Sequence, residues 1–448
     1  MSDLLGIGAS GIRAYGTALA AIGNNVSNAN TAGYTRRTVS LTENTAGDTA
    51  SSAGTGQFGG VDTSEVGRAW NDYQAAAARS SNSDAGAADA SATWLSNAET
   101  ALNDGTTGVG QSATAIFTAG DTLAADPGST GNRNAFLSAI GQTASAMNTT
   151  ASALAQTSSG IASAAQTTVQ SVNADLDQLD KINTALNTQP SGTTAQADLL
   201  DQRDSLLDDI SSNVGINVTL AGNGAATVTL ANSNVQLTGG VNGTGTGARL
   251  TLDASANGAL SVQAVSAGKA QAVGDTGGTL GGLVSSAQTV ADRRTSLDKM
   301  ASDFSAALNA WNAAGTTASG AAGGALVSGS TAATIKVATS DPTAIAAASS
   351  TATNGNLLTL STLRTSTGIE QSWSGMVTDQ GQKVASANTA QTAADATKTA
   401  AFSARDSSSG VDLDTEAAEL LRYQQAYSGA AKVIQVAKDT MQSILDLF

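Results

Sequence analysis

The two ends of this 448-residue chain carry apolar stripes at the spacing of a coiled-coil seam. Near the N-terminus Ile12, Tyr15, Leu19, Ile22 and Val26 fall 3, 4, 3 and 4 residues apart. Near the C-terminus Leu420, Tyr423, Tyr427, Ala430, Ile434, Ala437, Met441, Ile444 and Phe448 alternate steps of 3 and 4 without a miss. Such steps return a side chain to one helix face every turn, and that face must bury against another helix. A helix from Leu4 to Val26 runs about 33 Å at 1.5 Å per residue. Asn24, Asn25, Asn28 and Asn30 crowd its C-terminal end, and Gly33 breaks it. Asp412 and Asp414 precede the C-terminal helix, where carboxylates complement the positive end of the helix dipole. One apolar stripe does not offset the conformational entropy of ordering a long helix. The ends are therefore expected to order by packing on each other and on neighbouring subunits.

More helices lie between these ends. Val169, Val172, Leu176, Leu179, Ile182 and Leu186 recur at helical spacing, as do Leu297, Ala301, Phe304, Leu308 and Trp311. Trp94–Leu102 and Ile116–Leu123 read as shorter pieces, and the turn Asp126-Pro127-Gly128 leads into a helix through Phe136, Leu137 and Ile140. From about 214 to 268 the period changes to two: Val218/Leu220, Val228/Leu230, Val235/Leu237, Leu250/Leu252 and Leu260/Val262 alternate. Gly222-Asn223-Gly224 and Asn257-Gly258 are hairpin turn signals. Residues 315–331 are rich in Gly, Ala, Ser and Thr and read as a loop. The expected fold is mainly α with an inserted antiparallel β domain, an α+β arrangement. Its domains are a coiled-coil-like terminal unit (1–45 and 405–448), a helical body (46–210 and 275–404) and a β-rich outer insertion (211–274).

Composition removes most chemistry. His and Cys are both absent. That excludes disulfides, thiolate metal sites, Ser-His-Asp triads and HExxH zinc centres, and leaves at most a carboxylate-only site or a Ser-Lys device. Neither is visible, so no catalytic, cofactor-binding or metal-binding residue is expected and the chain reads as no enzyme. The formal net charge of −15 argues against a nucleic-acid footprint and against attraction to anionic lipid. Met1-Ser2-Asp3-Leu4-Leu5 has no basic n-region, and its apolar stretch is too short and broken for a Sec signal or a membrane span. Lack of Cys suits the cytosol, and it equally suits export as an unfolded thread.

Four features invite sharper readings. The Asn cluster could be a recognition patch, but Asn also tolerates left-handed backbone and bonds nearby peptide groups, so capping is the plainer role. Asp201, Asp204, Asp208 and Asp209, beside Arg203 and a set of leucines, read as the solvated acidic side of an amphipathic helix and not as a metal site. Gly54-Thr55-Gly56-Gln57-Phe58-Gly59 fits a dinucleotide fingerprint in letters but lacks the preceding strand, and reads as a connector. Trp70, Trp94, Trp311 and Trp373 read as packing anchors of the helical body, with a glycan-stacking surface as the alternative.

The segment Asn24-Asn25-Val26-Ser27-Asn28-Ala29-Asn30-Thr31-Ala32-Gly33-Tyr34-Thr35-Arg36 resembles the N-terminal signature of the bacterial flagellar rod, hook and hook-associated proteins. Gly410 to Asp414, Tyr423 to Tyr427 and Val433-Ile434-Gln435 resemble the matching C-terminal signature. Leu200-Asp201-Gln202-Arg203-Asp204 and Gly277-Gly278-Thr279-Leu280-Gly281-Gly282-Leu283 are similar to motifs of the hook–filament junction members of that family, as are Phe117–Ile140 and Leu297–Gly315. Ala32 stands where the family usually has Pro. The resemblance implies a structural subunit of the flagellum at the hook–filament junction. It implies terminal helices (D0) lining an export channel, a helical D1 and an outer D2. The implied partners are like subunits in a ring, the hook protein, a second junction protein on the filament side, and a cytoplasmic export chaperone at the C-terminal region. The implied location is extracellular, reached by type III export after a transient cytoplasmic stage, with no membrane insertion. The assembly residues it implies are the seam positions Ile12, Tyr15, Leu19, Ile22, Val26, Leu420, Tyr423, Tyr427, Ile434, Met441 and Ile444, with Asn24, Asn25, Asn28, Asn30, Gly33 and Tyr34 of the signature. The alternatives are a hook or rod protein, and, from another class, a secreted adhesin or glycan-binding protein.

Overall fold

The computed structural model describes residues 2–31, 33–45, 58–102, 105–239 and 247–446. The chain starts with helix α1 (Ser2–Asn28) and then forms strands β1 (Arg37–Thr45) and β2 (Phe58–Arg68). Helices α2 (Asp72–Leu102), α3 (Val109–Ala125), α4 (Thr130–Leu186) and α5 (Thr194–Asn213) follow. Next come β3 (Ile216–Leu220), β4 (Ala226–Leu230), β5 (Arg249–Ala254), β6 (Leu260–Ser266) and β7 (Lys269–Val273). The return path runs through α6 (Gly278–Ala314), the short strands β8 (Val327–Ser328) and β9 (Lys336–Val337), α7 (Leu360–Thr367), α8 (Ile369–Ser409) and α9 (Leu413–Leu445). The architecture is the expected α+β one, with small antiparallel sheets set on a helical frame.

The body is built along α4, a single helix of 57 residues. The sequence shows it only as two separate apolar stretches, because Ala, Ser and Thr occupy much of its middle. Ile140, Met147, Leu154 and Ile161 nevertheless repeat every seven residues and are fully buried. With Phe136, Leu176 and Leu179 they form the spine of the core. Helix α6 packs on that spine through Leu297, Phe304 and Leu308. Trp311 meets Phe136 edge-on at 5.9 Å and donates its indole N–H to Asn356 O at 3.0 Å. Trp311 and Trp373 are buried, Trp94 and Trp70 half-buried. Helix α8, almost without large apolar residues after Val384, lies along α2 through small side chains such as Ala92 and Ala387.

The strands of the β insertion run from 216 to 273, with one strand, β7, beyond the alternating pairs, while Val235/Leu237 flanks only an isolated bridge at Gln236. β3 pairs with β4, and β5, β6 and β7 form a second sheet in that order, all antiparallel. Gly258 turns β5 into β6 with φ +93°, a conformation that side chains with a Cβ disfavour. Residues 315–331, read from sequence as a loop, contain β8 and an isolated bridge from Thr316 to Ala322.

The hairpin β1–β2 is absent from the sequence reading. It spans the expected domain boundary at residue 45, pairing Arg37 with Arg68 at its base and Thr45 with Phe58 at its far end. Its polar, Thr-rich and Gly-rich strands carry little period-two signal. The glycine-rich dinucleotide-like match falls largely outside the described residues, as do Ala32 and Phe448.

Candidate assembly site

Helices α1 and α9 pack side by side through their small residues. A Cβ at Gly8 would stand 2.5 Å from Ile434 Cγ1, and one at Gly11 would stand 3.0 Å from Ala430 Cβ. Ala14 and Ala18 are buried on the same side, and Tyr15 meets Tyr423 with ring centroids 6.3 Å apart. The hairpin covers a second side of α1: Val61 N–H donates to Ser10 Oγ at 3.2 Å, and Gly60 backs directly onto the helix. The expected seam is thus displaced. Ile22 is buried, but Ile12, Tyr15 and Leu19 are half-buried and Val26 is exposed. The closest approach uses Gly and Ala because they let two backbones come together, and the larger residues flank that line.

On α9 the division is similar. Leu420, Tyr423 and Ile434 are half-buried toward α1, while Tyr427, Met441 and Ile444 are exposed. Leu421, Val436 and Leu445 join them, each about three-fifths exposed (60%, 61% and 63%). Helix α9 is therefore held along its α1 side, where Tyr427 lies beside Gly16, while Leu421 and Val436 on the opposite face and Met441, Ile444 and Leu445 in the last turns present apolar side chains to solvent.

The Asn signature forms the knot where α1 ends. Asn25 is 1% exposed, and its amide uses all four hydrogen-bonding positions. Its Nδ2 donates to Arg37 O and to Glu416 Oε2, both at 3.0 Å. Its Oδ1 accepts from Arg37 N–H and from the Tyr34 hydroxyl, both at 2.8 Å. Asn25 thus joins α1, β1 and α9. Asn28 does the capping work: its Nδ2 donates to Asn24 O, and its Oδ1 accepts from Thr31. Gly33 turns the chain with φ +77°. Asn24 and Asn30 stay exposed. Burial pushes the Tyr34 phenol up to about 12, against the opposing pull of Arg37. At the start of α9, Asp412 accepts from Thr415 N–H at 2.7 Å as the helix cap.

A row of alternating charges then ties this terminal unit to the body. Asp201, Asp204 and Asp208 lie on one face of α5. Arg37 of β1 reaches Asp198 at 2.8 Å and Asp201 at 2.6 Å. Arg68 of β2 bridges Asp201 at 2.8 Å and Asp204 at 2.6 Å. Arg79 of α2 bridges Asp204 at 3.0 Å and Asp208 at 3.3 Å, and Arg405 of α8 closes the row on Asp208 at 2.5 Å. Arg203 adds a further contact to Asp204 at 2.7 Å and donates to Gly224 O at 2.5 Å. Burial pushes the Arg203 guanidinium below its usual range, with Asp204 opposing. Trp70 lies against Arg68 and Arg79, 4.7 and 5.9 Å from ring centre to guanidinium.

The solvated acidic face expected for this helix is thereby corrected: Asp204 is 5% exposed and Arg203 2%. The leucines beside them are only partly buried apart from Leu207, so the polar side of α5 faces inward. Charge alternation along one helix cannot reveal this, because four of the five arginines come from four other segments. Among the described residues no group of three or more acidic side chains is placed to hold a metal ion. None of the described helices is long and apolar enough to cross a membrane.

Comparison with known proteins fits this architecture. Residues 95–327, more than half of the chain, match the family model of the flagellar hook-associated protein FlgK helical domain. Residues 404–447 match the C-terminal model of the flagellar basal body rod FlgEFG proteins. The chain is 26% identical over 235 residues to flagellar hook-associated protein 1 of Salmonella typhimurium, covering 52% of this chain and 42% of that protein. It is 26% identical over 491 residues to the Bacillus subtilis protein of the same name, covering 97% of this chain and 96% of the relative. The match therefore spans less than half the length of the Salmonella relative and nearly all of the Bacillus one. A solved structure, described as the flagellar hook junction protein FlgK from Burkholderia pseudomallei, aligns with TM-score 0.50 and 22% identity over 56% of this chain and 46% of that one. With the helical-domain model covering the spine built on α4, this chain belongs to the FlgK family of flagellar hook-associated proteins.

Proposed function

We propose that this chain is a non-enzymatic structural subunit of the bacterial flagellum that joins hook to filament. The observation that carries this reading is the asymmetry of α9. One side is held by α1 and the Asn25–Glu416 contact, with the Tyr427 ring beside Gly16, while Leu421 and Val436 on the opposite side and Met441, Ile444 and Leu445 in the last turns stand exposed. Apolar side chains left exposed on a helix clamped in place are suited to burial against neighbouring subunits. In this reading Ile12, Tyr15, Leu19, Val26 and the exposed α9 residues meet copies of the same chain in a ring. The hook protein lies below that ring and a second junction protein lies above it. The chain reaches this extracellular place by export as an unfolded thread, after a cytoplasmic chaperone has covered the C-terminal region. The relatives' name, hook-associated protein, supports the partners on either side.

The test is a clean deletion, with electron microscopy of the cells and a blot of the medium for flagellin. Bare hooks with monomeric flagellin in the medium are expected. Intact swimming filaments would overturn the reading.

A further inference from the structure

β3 leaves one edge open. It pairs with β4 on one side only, with Asn217 opposite Thr229 and Thr219 opposite Thr227. Ala231 N–H donates to Gly215 O and Ala221 N–H donates to Ala225 O, both at 2.9 Å. These bonds place 215, 217, 219 and 221 in the ladder. By the alternation of an antiparallel pair, the N–H and C=O groups of Ile216, Val218 and Leu220 point off the free edge, where no described residue meets them. The strand, Ile-Asn-Val-Thr-Leu, carries no Lys, no Pro and no bulge, the usual devices that blunt an edge.

That edge lines a groove of about 670 Å³, with α2 as the facing wall. Three carboxylates line it: Asp72, Asp84 and Asp275. The cation that lines it, Arg79, is already engaged by Asp204 and Asp208. Tyr73, 84% exposed, follows Asp72 and shares a helix face with the groove-lining Ala76 and Ser80. Ile216, Val218 and Leu220 are half-buried and lie opposite the buried Leu230, Val228 and Ala226, so the apolar layer of the hairpin stops at the open edge.

We propose that the β3 edge is a docking site for an extended, cationic segment of a partner protein, which adds as a third strand to β3–β4. Its backbone satisfies the free N–H and C=O groups, its alternate apolar side chains continue the layer of Val218, and its Lys or Arg side chains face Asp72, Asp84 and Asp275. A helix cannot meet the in-plane backbone groups of the edge, and an acidic segment is repelled by the carboxylates.

Val218→Pro tests this directly. The Val218 N–H lies outside the ladder, so proline keeps the β3–β4 bonds while removing a donor from the edge and blocking strand addition. The probe is a fluorescein-labelled peptide of alternating Lys and Val, titrated into the full chain by anisotropy. Saturable binding is expected, weakened about tenfold or more by Val218→Pro, by Asp84→Lys, and by N-methylation of alternate peptide amides. Thermal unfolding of Asp84→Lys should match the parent, and Val218→Pro, which also trims a side chain packed on the core, should keep the β3–β4 amides protected from exchange. Absence of saturable binding, equal binding by Val218→Pro, or equal binding of a Glu–Val peptide would overturn the proposal. So would a sedimentation-detected dimer that Val218→Pro abolishes, which would assign the edge to a second copy of the chain.

Discussion

Asn25 and Glu416 stand 391 positions apart in the chain and share a buried hydrogen bond of 3.0 Å. The same Glu416 carboxylate lies 3.5 Å from Arg36 Nε, and Arg36 N–H donates to Ser409 O at 2.9 Å. The two ends of the chain therefore close on each other at the point where the hairpin begins. One residue later, Arg37 starts the charge row that runs across the body to Arg405, itself on the helix that leads into α9. Pairing of the terminal helices and their attachment to the body are thus adjacent links of one polar chain.

Asn25→Ala removes a residue that serves Arg37 N–H, Arg37 C=O, the Tyr34 hydroxyl and Glu416. Those groups stay buried without it, so we expect a loss of about 2–4 kcal/mol in the terminal unit. Amide hydrogen exchange should quicken in α1, β1 and the first turns of α9 while α4 keeps its protection. Unchanged exchange in α1 would refute the knot.

Asp204→Ala leaves Arg68, Arg79 and Arg203 facing each other without their shared carboxylate. Breaking a buried charge group in this way costs about 3–5 kcal/mol. Asp209 is the control. Its side chain is largely exposed, and partial desolvation by its neighbours together with the Asp208 charge pushes its carboxyl up, so the charged form gains nothing from folding. Asp209→Ala should change denaturant stability by no more than about 0.5 kcal/mol. Equal effects of the two substitutions would remove the row's claim to hold the hairpin on the body.

These two cases mark where reading from sequence succeeds and where it stops. The long terminal helices are legible because their 3–4 spacing is written in large residues such as Leu420 and Ile434. The β insertion is legible because Val228/Leu230 and Leu260/Val262 alternate between turn signals. Helix α8 is not, since its run of Ala, Thr and Ser carries no period, and it is ordered by fitting small side chains against α2. The buried face of α1 is misplaced for a related reason. Hydrophobic spacing ranks Ile12 and Val26 above Gly8, Gly11 and Ala14, yet close helix approach selects the small residues. The charge row is hidden most deeply: Arg37, Arg68, Arg79 and Arg405 acquire meaning only when the fold brings them to α5, where Arg203 sits.

Tyr34 gives the terminal unit an alkaline limit. In the unfolded chain its phenol ionises near 10, and in the folded protein burial moves that to about 12. Between these values the unfolded chain has released a proton that the folded chain retains, so stability falls as pH rises through the window. Below pH 10 the contribution is fully present. Tyr34→Phe cannot ionise, and although it lacks the bond to Asn25, its stability should decline less steeply from pH 10 to 12. Parallel slopes in urea midpoints for the two proteins would contradict this assignment.

Gly8→Ala tests the close contact between the terminal helices. The added methyl falls 2.5 Å from Ile434 Cγ1 and 3.3 Å from Ala430 O, so α1 and α9 must move apart. Overpacking of this kind costs about 1–3 kcal/mol. Ile434→Ala in the same chain clears the nearer obstacle, and the double variant should be more stable than the two single effects add up to. Strict additivity would show that the two residues do not meet.

Val436→Asp and Leu421→Asp separate assembly from folding. Both side chains are exposed, at 61% and 60%, on the part of α9 turned away from α1. A charge there disturbs no described contact within the chain, so melting and exchange in the free protein should stay within about 0.5 kcal/mol of the parent. Buried against a neighbouring subunit, the same carboxylate would be desolvated without a partner. Expressed in the deletion strain, both variants should leave hooks bare and flagellin in the medium. Ile434→Asp should fail for a different reason, by splitting α1 from α9, and should show it as fast exchange before any assembly is attempted. If Val436→Asp and Leu421→Asp restore filaments while Ile434→Asp does not, the exposed face of α9 takes no part in the junction and the contact must lie on α1 instead.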